Sequence, residues 1–330
     1  MAVLEGPPLG DELHVPRVIA LNRTRPDRLF RAICLAAGLV TLVVLVLIGF
    51  FLLTRAMPAL RAGGLRFFTT QELPPQPVAG QPFGIAALIF GTVEISLIAL
   101  LLAVPVSIAT ALFITEYAPG GLKRPLISIV ELLAAVPSLI YGLWGFFFLQ
   151  PRMIGVSDWL NQHASFIPLF RVDQRLFTSS PFVAGVVLAL MVVPICTAVM
   201  REVFSQAPPG EKEGALALGA TRWGVIRAVV LPFGKGGIIG GSMLGLGRAL
   251  GETIAVAIII SPIFTITPHI LQSGGNSIPA TIVLRFSESS GLGLSVLMAA
   301  GLTLFVLTLV VNMIASLVVS RSRSGQGVEI

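Results

Sequence analysis

Six apolar stretches, each long enough to cross a bilayer, constrain this chain more than any other feature. They run Phe30–Leu53, Phe83–Ile114, Leu126–Leu149, Pro181–Met200, Gly236–Ile260 and Leu292–Val319. A helix rises about 1.5 Å per residue and the hydrocarbon core is about 30 Å thick, so roughly 20 residues make one span. Only 12% of the 330 residues are charged, against about 25% in a soluble domain. So few charges cannot cover a water-facing surface, and the apolar excess must face lipid. In lipid the backbone must satisfy its own polar groups, which for runs of this length means helices. The chain therefore reads as an all-α, polytopic membrane protein with six transmembrane helices. A tail over 1–29 precedes a first span over 30–54. A main body covers 83–319, and a second tail covers 320–330. The basic segment before the first span invites a signal-peptide reading. Thr54-Arg55-Ala56-Met57-Pro58 offers no small-residue cleavage site, however, so the span is read as retained.

Charge placement orients the spans. Of the 22 Lys and Arg residues, 14 fall on the side of the N-terminus, seven on the other side, and Arg248 lies within a span. By the positive-inside rule both termini are expected to be cytoplasmic. On that topology a cysteine at Ser157 is expected to be reached from outside. The net charge of +6 comes from loop residues that set topology, without the aromatic-interleaved basic stretch of a nucleic-acid binder, so no nucleic acid is implied. Cys34 and Cys196 both lie in apolar runs and read as small hydrophobes rather than a disulfide framework. His14, His163 and His269 are scattered, without companions at metal-ligand spacing.

One cytoplasmic segment, 202–235, is longer and more patterned than a connection needs. Pro208-Pro209-Gly210 breaks the chain, Glu211 and Glu213 open a helical stretch as the helix dipole favours, and Gly219 ends it as a C-cap glycine does. A second short helix, about Arg222–Val230, is expected to stop before Pro232. A short helix, a glycine turn and another helix make a compact knob, rigid enough to transmit a push. The competing reading is an amphipathic re-entry into the next span.

The fifth span carries charges. Arg248 and Glu252 stand at i, i+4, about 6 Å apart along a helix axis and on one face. A charge at mid-bilayer costs about 2.5–3.5 kcal/mol on insertion scales, so intramembrane charges are functional candidates by default. An arginine fork suits the oxygens of an oxyanion, and a neighbouring glutamate keeps the anion from being trapped. The alternative is a buried structural ion pair between helices. Glu94, in the second span, is a further candidate for the pathway or for a bond to a neighbouring helix; Glu131 lies near the inner end of the third span. Gly237, Gly241 and Gly245 recur every four residues and read as a close helix-packing face. No stretch fits the phosphate-loop pattern of an ATPase, so no ATP site is recognised on this chain.

These motifs carry a resemblance. Glu213, Gly214, Ala215, Gly219, Val229, Leu231 and Pro232 match, in spacing, the EAA loop of ABC-importer permeases. Gly214 stands for the first alanine and Val229 for isoleucine. Arg248-Ala249-Leu250-Gly251-Glu252-Thr253, Glu116-Tyr117-Ala118-Pro119 and the stretch from Glu131 to Gly145 resemble the phosphate-specific (Pst) permeases. The last of these looks more like the PstC-type subunit than the PstA-type. The resemblance covers about Phe83 to the C-terminus. It implies a type I ABC-importer permease fold in the bacterial plasma (inner) membrane and a role as the transmembrane subunit of an ATP-driven phosphate importer, not an enzyme. It further implies a PstA-type permease partner, a PstB-type ATPase dimer that carries the ATP and magnesium, and a PstS-type extracytoplasmic phosphate-binding protein, with no cofactor on this chain. Carried over residue by residue, Arg248 and Glu252 belong to translocation. Glu211, Glu213, Gly214, Ala215 and Gly219 form the ATPase contact, with Val229, Leu231 and Pro232 completing the loop.

Three other readings stay open. The same machine could move sulfate or molybdate. A stand-alone ion-coupled transporter would show inverted repeats and broken helices and would leave the knob without a task. A membrane anchor or sensor would leave Arg248 and Glu252 unexplained.

Overall fold

Prolines and glycines decide where the apolar runs become separate helices. The computed structural model describes residues 25–321 apart from 79 and 173. The expected tails therefore lie outside the described residues up to 24 and beyond 321. In chain order the helices are α1 (Arg25–Gly63), α2 (Ala86–Leu112), α3 (Gly120–Ala135), α4 (Ser138–Trp144), α5 (Gln150–Ala164) and α6 (Pro181–Ser205). There follow α7 (Pro209–Ala217), α8 (Arg222–Val225), α9 (Leu231–Leu250), α10 (Ile254–Ile259), α11 (Ile278–Arg285) and α12 (Gly291–Arg321). Among the described residues, six helical stretches are long and apolar enough to span a membrane: Arg25–Phe68, Ala86–Tyr117, Ser138–Ala164, Pro181–Ser205, Arg222–Leu250 and Gly291–Leu317.

The chain divides into two compact units, Met1–Ile48 and Gly49–Ile330. The described part of the first is the beginning of α1, whose side chains are exposed throughout. In the second unit, α6 packs closely along α2 and α9. Its core joins Ala99, Ala103 and Ala111 of α2 to Val187, Val192, Met200 and Phe204 of α6 and to Val256 and Ile259 of α10. A second cluster gathers Phe67, Phe83, Ile85 and Leu88 with Ile278, Val296 and Ala299.

Three expectations change. The third span was expected over Leu126–Leu149, but the helix stops at Ala135. Val136 is extended (φ −65, ψ 129), as the residue before a proline prefers, and Pro137 is the N-cap of α4. The spanning stretch is Ser138–Ala164, which begins after Pro137 and runs 15 residues past Leu149. Ser157 consequently sits fully buried on α5 and is unsuitable as a labelling site. The helix from Arg222 does not end before Pro232; it runs on to Leu250. The fifth span does not reach Ile260 unbroken, because α9 ends at Leu250 and α10 begins at Ile254.

A common physical device lets helices meet proline. Widened π turns occupy Phe113–Tyr117, Gly145–Leu149 and Ile226–Val230. Each is followed, after one residue, by a proline: Pro119, Pro151 and Pro232. In each, the residue before the proline donates its N–H five residues back, to Phe113 O, Gly145 O or Ile226 O. Proline has no N–H and crowds the carbonyl four residues earlier; the wider turn moves that carbonyl out of the way. At Pro119 the freed carbonyl is that of Thr115, which accepts from Lys123 Nζ at 2.8 Å. The helix ends there, whereas at Pro151 and Pro232 it continues.

The segment 264–291 is tied into the body. Asn276, Ser277 and Thr281 are buried. Thr281 Oγ1 donates to Asn276 Oδ1, and the N–H of Ile278 donates to Thr92 Oγ1 of α2 at 2.9 Å. Arg285 Nη1 donates to Leu73 O at 3.0 Å and lies over the Phe264 ring, pinning the proline-rich segment after α1.

Candidate functional site

The patterned segment forms an elbow at the start of a long helix. Pro209 sits in the first turn of α7 and Glu211 follows it there, where a negative charge faces the positive helix end. At the other end Gly219 adopts φ +84, a left-handed conformation that a side chain disfavours. Its N–H donates to Leu216 O at 2.9 Å, and the N–H of Ala220 donates to Ala215 O at 3.1 Å. These paired bonds are a Schellman termination. Thr221 Oγ1 then accepts from the N–H of Gly224 at 3.2 Å and caps the next helix. The turn is therefore hydrogen-bonded on both sides.

Exposure splits the loop residues into two sets. Glu211, Glu213, Gly214 and Gly219 are exposed, Ala215 is half-buried, and no residue of α7 is buried. Leu218 is 91% exposed and Trp223 58%, so the elbow presents apolar as well as acidic surface. Val229 is buried, and Leu231 and Pro232 are half-buried. These last three set the course of the helix rather than its free surface.

Further along this helix, a row of glycines seats it on α6. A Cβ at Gly237 would stand 2.6 Å from Val203 Cβ, and one at Gly245 would stand 2.6 Å from Cys196 Sγ. Gly234 faces the ring of Phe204, and Gly241 lies against Cys196 O and Met200. Cys196 Sγ donates to Gly241 O at 3.1 Å; both Cys196 and Cys34 are free thiols. The spaced glycines thus pack helices, as expected. Gly236, Gly240 and Gly247 point elsewhere and meet nothing within 4 Å.

Arg248 lies in the last turn of α9, 13 residues beyond Lys235, which is about 20 Å along the axis. Glu252 is not on the same helix face, as the spacing suggested, but in the break between α9 and α10. The pair still forms: Arg248 Nη2 approaches Glu252 Oε2 at 3.9 Å. The two partners differ sharply, since the Glu252 side chain is 4% exposed and that of Arg248 40%. Glu252 Oε1 also accepts from the N–H of Ala255 at 3.2 Å, so this carboxylate holds the start of α10. A 3.9 Å approach is too long for a hydrogen bond. Among the described residues nothing accepts a hydrogen bond from the Arg248 guanidinium, which leaves its fork of donors unused within the chain.

Glu94 is half-buried on α2, and its Oε1 is buried without a hydrogen-bond partner. Among the described residues nothing joins it to Arg248 or Glu252. Glu131 is largely exposed and pairs with Arg201 at 3.7 Å. One contact had no signal in the sequence: Lys212 Nζ donates to Glu116 Oε1 at 2.7 Å, across 96 positions of chain.

Comparison with known proteins places this arrangement. Residues 103–324 match the family model described as the binding-protein-dependent transport system inner membrane component. Phosphate transport system permease protein PstC 2 of Mycobacterium tuberculosis is 42% identical over 308 residues, covering 92% of this chain and 95% of the relative. The protein named PstC in Xylella fastidiosa strain 9a5c is 40% identical, over 93% and 94% of the two chains. That of Haemophilus influenzae is 39% identical over 93% and 97%. Among solved structures, a bacterial ABC transporter involved in the import of the polysaccharide alginate matches with a TM-score of 0.56 at 22% identity, over 89% of this chain and 99% of that one. The inward-facing methionine ABC transporter MetNI matches with a TM-score of 0.52 at 16% identity, over 72% and 97%. At such identities the likeness is one of fold, the fold of ABC-importer permeases. The chain belongs to the family of binding-protein-dependent transport system inner membrane components, and within it to the PstC-type permeases.

Proposed function

We propose that this protein is one of two permease subunits of an ATP-driven importer of inorganic phosphate, with Arg248 lining the route. One observation carries the reading. A single helical stretch, Arg222–Leu250, has the exposed elbow of α7 at one end and the half-exposed guanidinium of Arg248 at the other. A push on the elbow is thereby delivered to the helix that holds the anion-binding charge. The ATPase is a separate dimer, which carries the ATP and magnesium and receives Glu211, Glu213, Gly214 and Gly219 in a cleft. A PstA-type permease completes the pore, and an extracytoplasmic phosphate-binding protein of the PstS type delivers the anion. Glu252 holds Arg248 and the start of α10 in place. Phosphate is favoured by the names of the relatives, sulfate and molybdate being alternatives with the same charge chemistry.

The break between α9 and α10 is also what a stand-alone ion-coupled transporter would use at mid-membrane. The decisive measurement is uptake of labelled phosphate into proteoliposomes holding this chain, its permease partner and the ATPase dimer. Uptake is expected only with ATP and the binding protein, and excess sulfate should leave it unchanged. Uptake without the ATPase would overturn the importer reading; equal competition by sulfate would overturn the choice of anion.

Both termini are read as cytoplasmic, with the α7 elbow on that side and the end of α5 outside. On a Cys34→Ser background, Ser165→Cys, exposed just after α5, should react with a membrane-impermeant maleimide in intact cells. Gly121→Cys, exposed at the start of α3, should react only after permeabilisation. The reverse pattern would invert the topology.

A further inference from the structure

The α7 elbow is tied to the body by more than the helix that follows it. Its own residues pack against α8 and the π turn Ile226–Val230, and none is buried. Lys212, in the middle of α7, reaches across to Glu116 at the far end of α2, with Nζ and Oε1 2.7 Å apart. The side chains are only 22% and 17% exposed, so water screens the contact less than it would a surface pair.

The surroundings of Glu116 make the contact a stiff one. Glu116 stands in the π turn that closes the α2 stretch, where the helix dipole disfavours a negative charge. Lys212 compensates that charge, and Lys123 clamps the same turn through Thr115 O. Besides α8, the elbow thus meets two π turns, Phe113–Tyr117 through the ion pair and Ile226–Val230 through packing. Widened turns of this kind recur at functional sites. Beyond its turn, α2 packs along α6 and α9.

We propose that the Glu116–Lys212 pair is a strut that carries movement of α7 into α2, so that α2 and α9 move together. This rests on the reading of α7 as the part that receives the ATPase stroke. Through the glycine turn alone, the stroke would enter only the α8–α9 helix. With the pair in place it enters the body at two points, and the α2–α6–α9 packing moves as a unit. Glu116 and Lys212 are positioning residues: they touch neither anion nor nucleotide.

The test uses the full complex in proteoliposomes and reads phosphate imported per ATP hydrolysed, a ratio that a loss of protein would leave unchanged. Glu116→Gln and Lys212→Met should each keep ATPase co-purification and hydrolysis near wild type, while the ratio falls about fivefold or more, the lower range of allosteric coupling. Glu116→Lys combined with Lys212→Glu should recover most of that loss, since both reversed charges sit favourably on their helix dipoles. An unchanged ratio in the single variants, a reversed pair no better than the singles, or loss of the ATPase from the single variants would each overturn the strut. Absence of ATP-driven uptake in the unaltered complex would instead overturn the importer reading itself.

Discussion

Arg248→Gln is expected to reduce phosphate uptake by about 100-fold, equivalent to losing roughly 3 kcal/mol of charge-assisted bonding to the anion. The substitution keeps most of the side chain's length and its capacity to donate, but it removes the fixed charge and the planar fork. Glu252 should tolerate the loss, because Ala255 N–H still holds one of its oxygens. The α9–α10 break should then keep its shape, and the complex should still assemble and hydrolyse ATP. Arg248→Lys retains the charge without the fork and should fall between the two. The measurement is the initial rate of labelled phosphate uptake, with co-purification of the ATPase as the assembly control. Wild-type uptake in Arg248→Gln would remove this residue from the route.

The second large effect is structural. Gly237→Leu should abolish recovery of a monodisperse protein from membranes. Even the first carbon of the new side chain would stand 2.6 Å from Val203 Cβ, where carbon atoms settle at about 3.5–4.0 Å. Three more carbons would follow it into the same contact. Overpacking of this kind costs about 1–3 kcal/mol in a well-packed core. In a membrane, with little hydrophobic drive between helices, close packing supplies much of the association. Neither α6 nor α9 can yield alone, since Gly234, Gly241 and Gly245 rest on the same face of α6. Gly236→Leu, one residue away in open space, is the matched control and should give near-normal yield. Equal yields from the two would mean that α9 does not seat on α6 through this row.

Much of the candidate site was legible because its rules act within a few residues. Pro209, Glu211 and Gly219 announce a short helix with a glycine-terminated end, and the hydrogen bonds there are those such a sequence makes. Arg248 and Glu252 stood out because charges within an apolar run are costly. Their geometry was less legible. Spacing placed them on one helix face, whereas the helix ends between them and Glu252 is buried in the break. The apolar run Leu126–Leu149 read as one span, whereas the helix is interrupted between Ala135 and Ser138, at Pro137. The π turns before Pro119, Pro151 and Pro232 left no pattern beyond the prolines themselves.

The six apolar stretches and the sparse charge determined that the chain lives in a bilayer as helices, because transfer free energy and backbone satisfaction depend only on what each segment contains. Capping chemistry likewise determined the elbow. Only the tertiary structure decided which glycines of α9 meet α6, that Arg248 stays half-exposed while Glu252 does not, and that Lys212 finds Glu116. Those outcomes depend on how α2, α6 and α9 lie against one another. Contact between residues 96 positions apart is set by that packing, and no rule confined to neighbouring residues contains it.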